Sequence, residues 1–370
     1  MGWYLMALVD TLPHYQRDDP DRAVIARAFS RVTSFLYERQ DQKTGLWCEI
    51  DVRPCSLDLV GDYMLIYAIA KGARLGYLPR NDGRVAAAWK SVHNRIASAT
   101  SLSNERSGPI GAFLLAADEL DMASTALLGR GERILLDGWF TSAKRKNAAG
   151  QMEPFHYKWD DLSDLGYSFF GNIFRRYGVS TEMLNTAPTI EALKDAQFYM
   201  IVSPDTLLKN PHPNALQDKD AEQITFWVKQ GGVLIVMAND GPNTDIEGLN
   251  LLMDRFGLHF NNVLSHHVIG DTFPMGRLSV AADPRFFRRS HILYFKDTCT
   301  ISLSGSTLPL LRDQGQVLIA TAKYGKGTVL AVADPWLYNE YTDGRKLPRE
   351  YDNLGGGIDM VRWLLRQVPN

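Results

Sequence analysis

The sequence predicts a multi-domain α plus α/β chain: an assembly of helical hairpins followed by a doubly wound α/β sheet. Two changes of pattern give this reading. Up to about residue 127 the apolar residues recur at three- and four-residue steps, the period of a helix face. From Arg133 onward they gather in short unbroken runs separated by helical patterns, as in a parallel sheet buried on both faces. The glycine-bearing segment Leu128-Gly129-Arg130-Gly131 separates the two regimes, which places one domain at 1–127 and a second at 131–370.

The opening residues Gly2-Trp3-Tyr4-Leu5-Met6-Ala7-Leu8-Val9-Asp10 are amphipathic from the start, without an N-cap, and read as the middle of a larger fold. A second helix opens near Asp21, with Ala23, Val24, Ala28, Val32, Phe35 and Leu36 at helical spacing, and stops at the polar turn Asp41 to Gly45. A third runs from about Leu57 to Gly76 and is broken by Pro79-Arg80-Asn81-Asp82-Gly83. Helices follow at about 84–99 and 109–122, the second rich in Ala and Leu and suited to close packing.

In the second half, Ile134-Leu135-Leu136, Phe198 to Val202, Val233 to Met237 and Val329 to Val332 are the buried strands. Helical patterns at about 162–177, 218–230 and 246–256 lie between them, with an N-cap at Asp160 or Asp161 for the first. Residues 258–315 read as short strands in an antiparallel section, and 356–368 as a closing helix. Gly325-Lys326-Gly327-Thr328 lacks the earlier glycine and the following helix of a phosphate loop and reads as a hairpin turn. Gly129-x-Gly131 precedes its strand and is a linker.

Composition narrows the function classes. The 370 residues are 45% hydrophobic and 22% charged, with net charge −2, so the chain has core material but no footprint for nucleic acid or anionic lipid. The basic clusters Lys144-Arg145-Lys146 and Arg288-Arg289 read as solvated surface. The longest apolar runs, such as Val233 to Ala238, are far too short to span a membrane. Nothing here has the form of a signal peptide; a leader for an exported parent would lie outside these residues. Cys48, Cys55 and Cys299 lack metal-ligand spacing, and Cys48 and Cys55 read either as a pair in an exported protein or as two small reduced side chains.

Doubly wound sheets bind ligands beyond the carboxyl ends of their strands. Those ends are Ser203-Pro204-Asp205-Thr206, Asn239-Asp240-Gly241 and the loop from Asp334 to Tyr341. The last is the richest: Asp334, Trp336, Tyr338, Asn339 and Tyr341 could stack on and hydrogen-bond a sugar, or else cap backbone and pack inward. No cysteine stands at a strand-to-helix elbow, so thiol catalysis is not expected. His266-His267 with Asp271 is read as solvent exposure or ordinary hydrogen bonding, since adjacent histidines on an extended segment face opposite ways and do not share one ion. His156 to Asp161 forms a polar and aromatic cluster. In the helical half Trp3, Trp47 and Asp62 are the candidate substrate-binding residues, while Tyr4 and Tyr63 are assigned to the core. No carboxylate pair stands out as an acid/base couple, so the catalytic residue is unassigned.

The order and spacing of Gly2 to Asp10, Gln40-Asp41-x-x-Thr44-Gly45-Leu46-Trp47, Tyr67-Ala68-Ile69-Ala70-Lys71-Gly72-x-x-Leu75-Gly76-Tyr77-Leu78 and Gly108-Pro109-Ile110-Gly111 resemble glycoside hydrolase family 105, the unsaturated rhamnogalacturonyl hydrolases. The resemblance covers about 1–127 and corresponds to the last part of that family's six-hairpin α/α toroid. Residues 131–370 look like the α/β domain, flavodoxin-like and similar to class I glutamine amidotransferase domains, that follows the toroid in some bacterial members. His156 to Asp160, Phe170 to Phe174 and Asp334 to Pro348 carry that likeness.

The resemblance implies hydration of the enol-ether double bond of a 4,5-unsaturated galacturonyl residue on a pectic oligosaccharide, by an aspartate and without a cofactor. The family's aspartate lies upstream of an Arg-Gly-Asn-Gly-Trp segment, of which Gly2-Trp3 is present here behind Met1. Trp3 therefore carries over as a stacking residue, and this chain is expected to be inactive alone. Leu5 and Leu8 are expected to lack partners, which favours association with an earlier part of the ring or with a second copy. For the parent protein the resemblance implies a periplasmic or secreted location, with the cytoplasm as the alternative.

Overall fold

The computed structural model describes residues 1–15, 19–47, 59–79, 83–98, 108–125, 128–146 and 149–369, with backbone only at 94–98, 108–109 and 123–125. Two compact units form, Met1–Leu128 with Arg176–Gly178, and Gly129–Arg175 with Val179–Asn370. Cys48 and Cys55 lie outside the described residues.

The first unit contains α1 (Gly2–Thr11), α2 (Pro20–Glu38), α3 (Leu59–Arg74), α4 (Arg84–Ser98) and α5 (Gly108–Thr125). Helix α2 starts where it does because the Asp19 carboxylate accepts the Asp21 N–H and Pro20 presets φ in the first turn. Helix α3 is the centre: Tyr63 to Ala70 are all buried, against α1, α4 and α5. A helix apolar all round must be covered on every side. Its approach to α2 needs Gly72, where a Cβ would come within 2.4 Å of the Phe29 ring. Tyr63, Trp89 and Phe113 form an aromatic cluster, with Trp89 stacked on Phe113 at 5.5 Å.

Polar groups are buried here in matched sets. Arg74 holds Glu119 through both its Nε and, at 3.0 Å, its Nη2, and the Glu119 side chain is wholly covered. Burial pushes the Glu119 carboxyl up despite the guanidinium beside it. Asp10 accepts from Tyr67 Oη and Lys71 Nζ, both at 2.8 Å, which fixes α1 along α3. Two expectations are corrected. Leu5 is fully buried and Leu8 packs against the core, because α1 lies on α3. Tyr4 faces outward instead, beside Trp3, because the other side of α1 carries the buried residues Leu5, Met6 and Val9.

The strands of the second unit are β1 (Arg133–Asp137), β2 (Lys144–Lys146), β3 (Met152–Pro154), β4 (Ser180–Leu184), β5 (Phe198–Val202), β6 (Val233–Met237) and β7 (Leu258–Ser265). Then come β8 (Arg277–Val280), β9 (His291–Tyr294), β10 (Thr298–Leu303), β11 (Leu308–Asp313), β12 (Gln316–Tyr324) and β13 (Gly327–Val332). Its helices are α6 (Ser168–Arg176), α7 (Ile190–Leu193), α8 (Asp218–Lys229), α9 (Ile246–Met253), α10 (Asn339–Thr342) and α11 (Asn353–Leu365).

Seven strands form one sheet in the order β11-β12-β13-β6-β5-β1-β4. Strands β4, β1, β5, β6 and β13 are parallel, and numbered along the chain they run 2-1-3-4-5, a doubly wound order with its switch point between β1 and β5. Every residue of β5 and β6 is buried, as their unbroken apolar runs require. Strand β12 is antiparallel to both neighbours and turns into β13 through Gly325-Lys326. The antiparallel pairs β7–β10 and β8–β9 lie within 258–315, where the sequence predicts short antiparallel strands.

Two helix boundaries differ from the sequence reading. Helix α6 begins at Ser168, not near Leu162, because Asp161 takes the Ser163 N–H in a tight turn and the following segment is held by Asn339. Lys144 to Lys146 is a strand paired with Met152 to Pro154. Helix α11 begins at Asn353, with Asp352 as its N-cap; Gly356 and Gly357 allow close contact with Trp336 and Leu337. Strand β4, polar at the sheet edge, has no apolar run to announce it.

Replacing Arg74 by Met leaves Glu119 buried without its cation. The helical unit should lose about 3–5 kcal/mol, read from urea unfolding followed by far-UV circular dichroism; a loss below about 1 kcal/mol would show the pair to be peripheral.

Candidate functional site

The crevice that a doubly wound sheet offers beyond β1 and β5 is occupied here by the chain itself. Asp137, the last residue of β1, accepts Tyr199 Oη at 2.8 Å and the N–H groups of Phe140 and Thr141 at 2.9 Å each. The loop so formed carries Thr141, whose Oγ1 donates to Val202 O at 2.8 Å and whose carbonyl accepts Lys158 Nζ at 2.6 Å. Asp205 accepts the Ser142 N–H at 2.8 Å and Asn210 Nδ2 at 3.0 Å. Ser203, just after β5, has φ +42°, and its buried hydroxyl and the Asp205 Oδ1 make no hydrogen bond with any described residue.

Burial dominates the electrostatics. It raises the Asp137 carboxyl to about 6 against the pull of its donors and of Lys158. It lowers Lys158, which Asp137 and Asp205 partly restore. His156 is pushed down to about 3 by burial and then by Lys209, Lys158 and Arg145, so its imidazole is neutral. Within His156 to Asp161, Tyr157, Lys158 and Trp159 are buried, whereas Asp160 is exposed.

The loop after β13 brings its five candidate residues together but turns them inward. Asp334 accepts the Lys296 N–H at 2.6 Å, and burial with Asp297 and Asp240 nearby raises its carboxyl well above the usual range. Trp336 is 0% exposed and stacked on Phe295. Tyr338 shares a 3.1 Å hydrogen bond with Tyr157 and packs against Tyr167 and Tyr341. Asn339 donates to Asp161 O and Ser163 O and accepts from Ser168 Oγ and the Phe169 N–H. The Tyr341 ring meets Tyr294 at 4.9 Å. All polar capacity of Asn339 is consumed in holding the segment ahead of α6, a role that sequence spacing over more than 170 residues does not reveal.

In the helical unit, Trp47 and Asp62 meet: the Trp47 N–H donates to Asp62 Oδ1 at 3.0 Å and its indole Nε1 to Leu36 O at 3.0 Å. Trp47 is 5% exposed and Asp62 1%, so both are placed in the core. Trp3 is 74% exposed and Tyr4 54%, two rings on the first turn of α1. An exposed aromatic pair has the chemistry to stack on a sugar ring. Cys299 is buried between Ala238 O and Ala333 O, its thiol pushed up by burial and so kept neutral. His266 and His267 take different carboxylates, Asp313 at 3.0 Å and Asp297 at 2.8 Å, and among the described residues no group of three ligands could hold a metal ion.

Replacing Asp137 by Asn tests the charge at the switch point. Its native pKa lies above its unfolded one, so the group stabilises the fold at low pH and loses that contribution as pH rises through about 6. The destabilisation by Asp137→Asn should be smaller at pH 7.5 than at pH 4.5 by about 2 kcal/mol, measured by urea unfolding. A difference of the opposite sign would mean that Asp137 is an anion throughout.

Comparison with known proteins adds the following. The model of the family described as Glycosyl Hydrolase Family 88 matches residues 1–105. A glycoside hydrolase from family 105 of C. acetobutylicum ATCC 824 is 26% identical, covering 32% of this chain and 43% of that one, with TM-score 0.27. A glycosyl hydrolase family 88 protein from Bacteroides vulgatus is 20% identical over 32% of this chain and 41% of its own, with TM-score 0.26. The chain thus spans less than half the length of either hydrolase. The cytoplasmic protein STM1381 from Salmonella typhimurium LT2 is 12% identical, covering 65% of this chain and all of its own, with TM-score 0.43. By the family match, the helical unit is related to glycosyl hydrolase family 88.

Proposed function

We propose that this is a carbohydrate-active protein of the unsaturated rhamnogalacturonyl hydrolase type, whose helical unit contributes to binding the unsaturated galacturonyl end of a pectic oligosaccharide. The α/β unit, in this reading, is an accessory domain of the class I glutamine amidotransferase kind without a nucleophile. The family match over residues 1–105 carries the proposal. The exposed Trp3 ring, in the segment that resembles the family's substrate wall, supports it. Trp47 and Asp62, buried and joined by a hydrogen bond, are packing residues in this reading and do not touch the sugar.

In this reading these residues bind the sugar, and none of them is assigned as its proton donor. Calorimetry with an unsaturated rhamnogalacturonan disaccharide should show binding that weakens about tenfold in Trp3→Ala, the loss of one stacked ring at about 1.4 kcal/mol. The enol-ether absorbance of the mixture should stay constant. Absence of binding heat in the unaltered chain would defeat the sugar reading, whereas loss of the absorbance would defeat only the inactivity.

A further inference from the structure

The β11–β12 turn brings a hydrolytic constellation together away from the sites described above. Strands β11 and β12 pair Asp313 with Gln316 across the two-residue link Gln314-Gly315, whose φ values are +47° and +81°. Both positive values mark the hairpin turn that matches strand twist. The turn delivers its two flanking side chains to two consecutive residues at the end of β7. Asp313 Oδ2 lies 3.0 Å from His266 Nε2, and Gln316 Oε1 accepts from Ser265 Oγ at 2.8 Å. Ser265 Oγ in turn lies 3.2 Å from His266 Nδ1.

Adjacent side chains on an extended strand diverge, yet these two meet. His266 has φ +46°, a left-handed conformation that swings its ring back over Ser265. Such a conformation in a non-glycine residue is retained where surrounding contacts over-determine it, and it concentrates at functional sites. The His266 side chain is 8% exposed, with Thr298 Oγ1 as a further neighbour at 3.2 Å from Nδ1. Gln316 also lines a groove of about 380 Å³, together with Asn261, Thr300, Ile301 and Arg312.

We infer that Ser265, His266 and Asp313 form a serine hydrolase site for short-chain esters, with the groove taking the remainder of the substrate. Hydroxyl, imidazole and carboxylate stand in the order that nucleophilic catalysis needs: base on nucleophile, orienting acid on base. Turning the Gln316 amide by half a turn exchanges its oxygen for its NH2, which donates to the serine oxygen and frees the hydroxyl proton for His266 Nδ1. His266 Nε2–H then donates to Asp313, the positioning residue that fixes the tautomer. Ser265 Oγ attacks the ester carbonyl as its proton passes to Nδ1; the C–O bond breaks, and that proton leaves with the alcohol. Water, losing a proton to Nδ1, then cleaves the acyl-serine to the free acid and restores the hydroxyl. Arg312, with one hydrogen bond to Gly315 O, suits an alcohol portion that carries an anionic group.

The inference is independent of the sugar reading. The full chain is treated with a fluorophosphonate probe and assayed with p-nitrophenyl acetate. The expected result is one probe adduct, mapped by mass spectrometry to Ser265, and ester turnover that falls at least about 100-fold in Ser265→Ala at an unchanged melting temperature. Asp313→Asn should lower kcat about tenfold or more with KM unchanged, which a merely structural contact would not do. An unlabelled Ser265, or turnover equal in Ser265→Ala and the unaltered chain, overturns the assignment.

Discussion

The Asn339 side chain carries a constraint on which much of the α/β unit depends. One amide satisfies two carbonyls of the segment 161–163 and the hydroxyl and N–H that open α6, so a loop without regular structure is held as firmly as a helix end. That anchor fixes Tyr167, whose hydroxyl reaches Pro335 O, and closes an aromatic cluster with Tyr157 and Tyr338. A loop that looked ready for a ligand is thereby turned into packing material. An unmet amide in this position would cost each of its partners about 1–3 kcal/mol, which is why the whole segment folds around it.

The helical unit obeys a related rule with charge instead of amide. Helix α3 is too apolar to tolerate stray ions, and its few charged groups are matched: Lys71 to Asp10 and Tyr67, Arg74 to Glu119. These pairs set the register of α1 and α5 along α3 more than they add stability, because desolvation consumes most of the Coulomb gain. With the register of α1 set, Leu5, Met6 and Val9 point inward and Trp3 and Tyr4 outward. The exposed ring pair is therefore a consequence of polar matching about two turns further along the same helix.

Backbone geometry has a comparable effect at the β11–β12 turn. Positive φ at His266, Gln314 and Gly315 lets one short hairpin supply partners to two neighbouring side chains. Residues that share a strand would otherwise face opposite sides, which is why the sequence keeps His266 and His267 apart. Their separation holds, since each takes its own carboxylate, but the same left-handed turn creates the Ser265–His266 contact.

Composition and periodicity alone determined the change from helices to sheet, the buried strands β5, β6 and β13 and the hairpin at Gly325, because apolar spacing is a local property that burial dictates directly. The tertiary structure decided which polar residues face inward. Trp47, Asp62, Trp336 and Asn339 have side chains equally suited to a site or to a core. Their partners, Leu36 O, the Trp47 N–H, Phe295 and the segment ahead of α6, come from other elements of the fold. A hydrogen bond is selected by the distance between its atoms in space, and chain separation leaves no periodic trace of it.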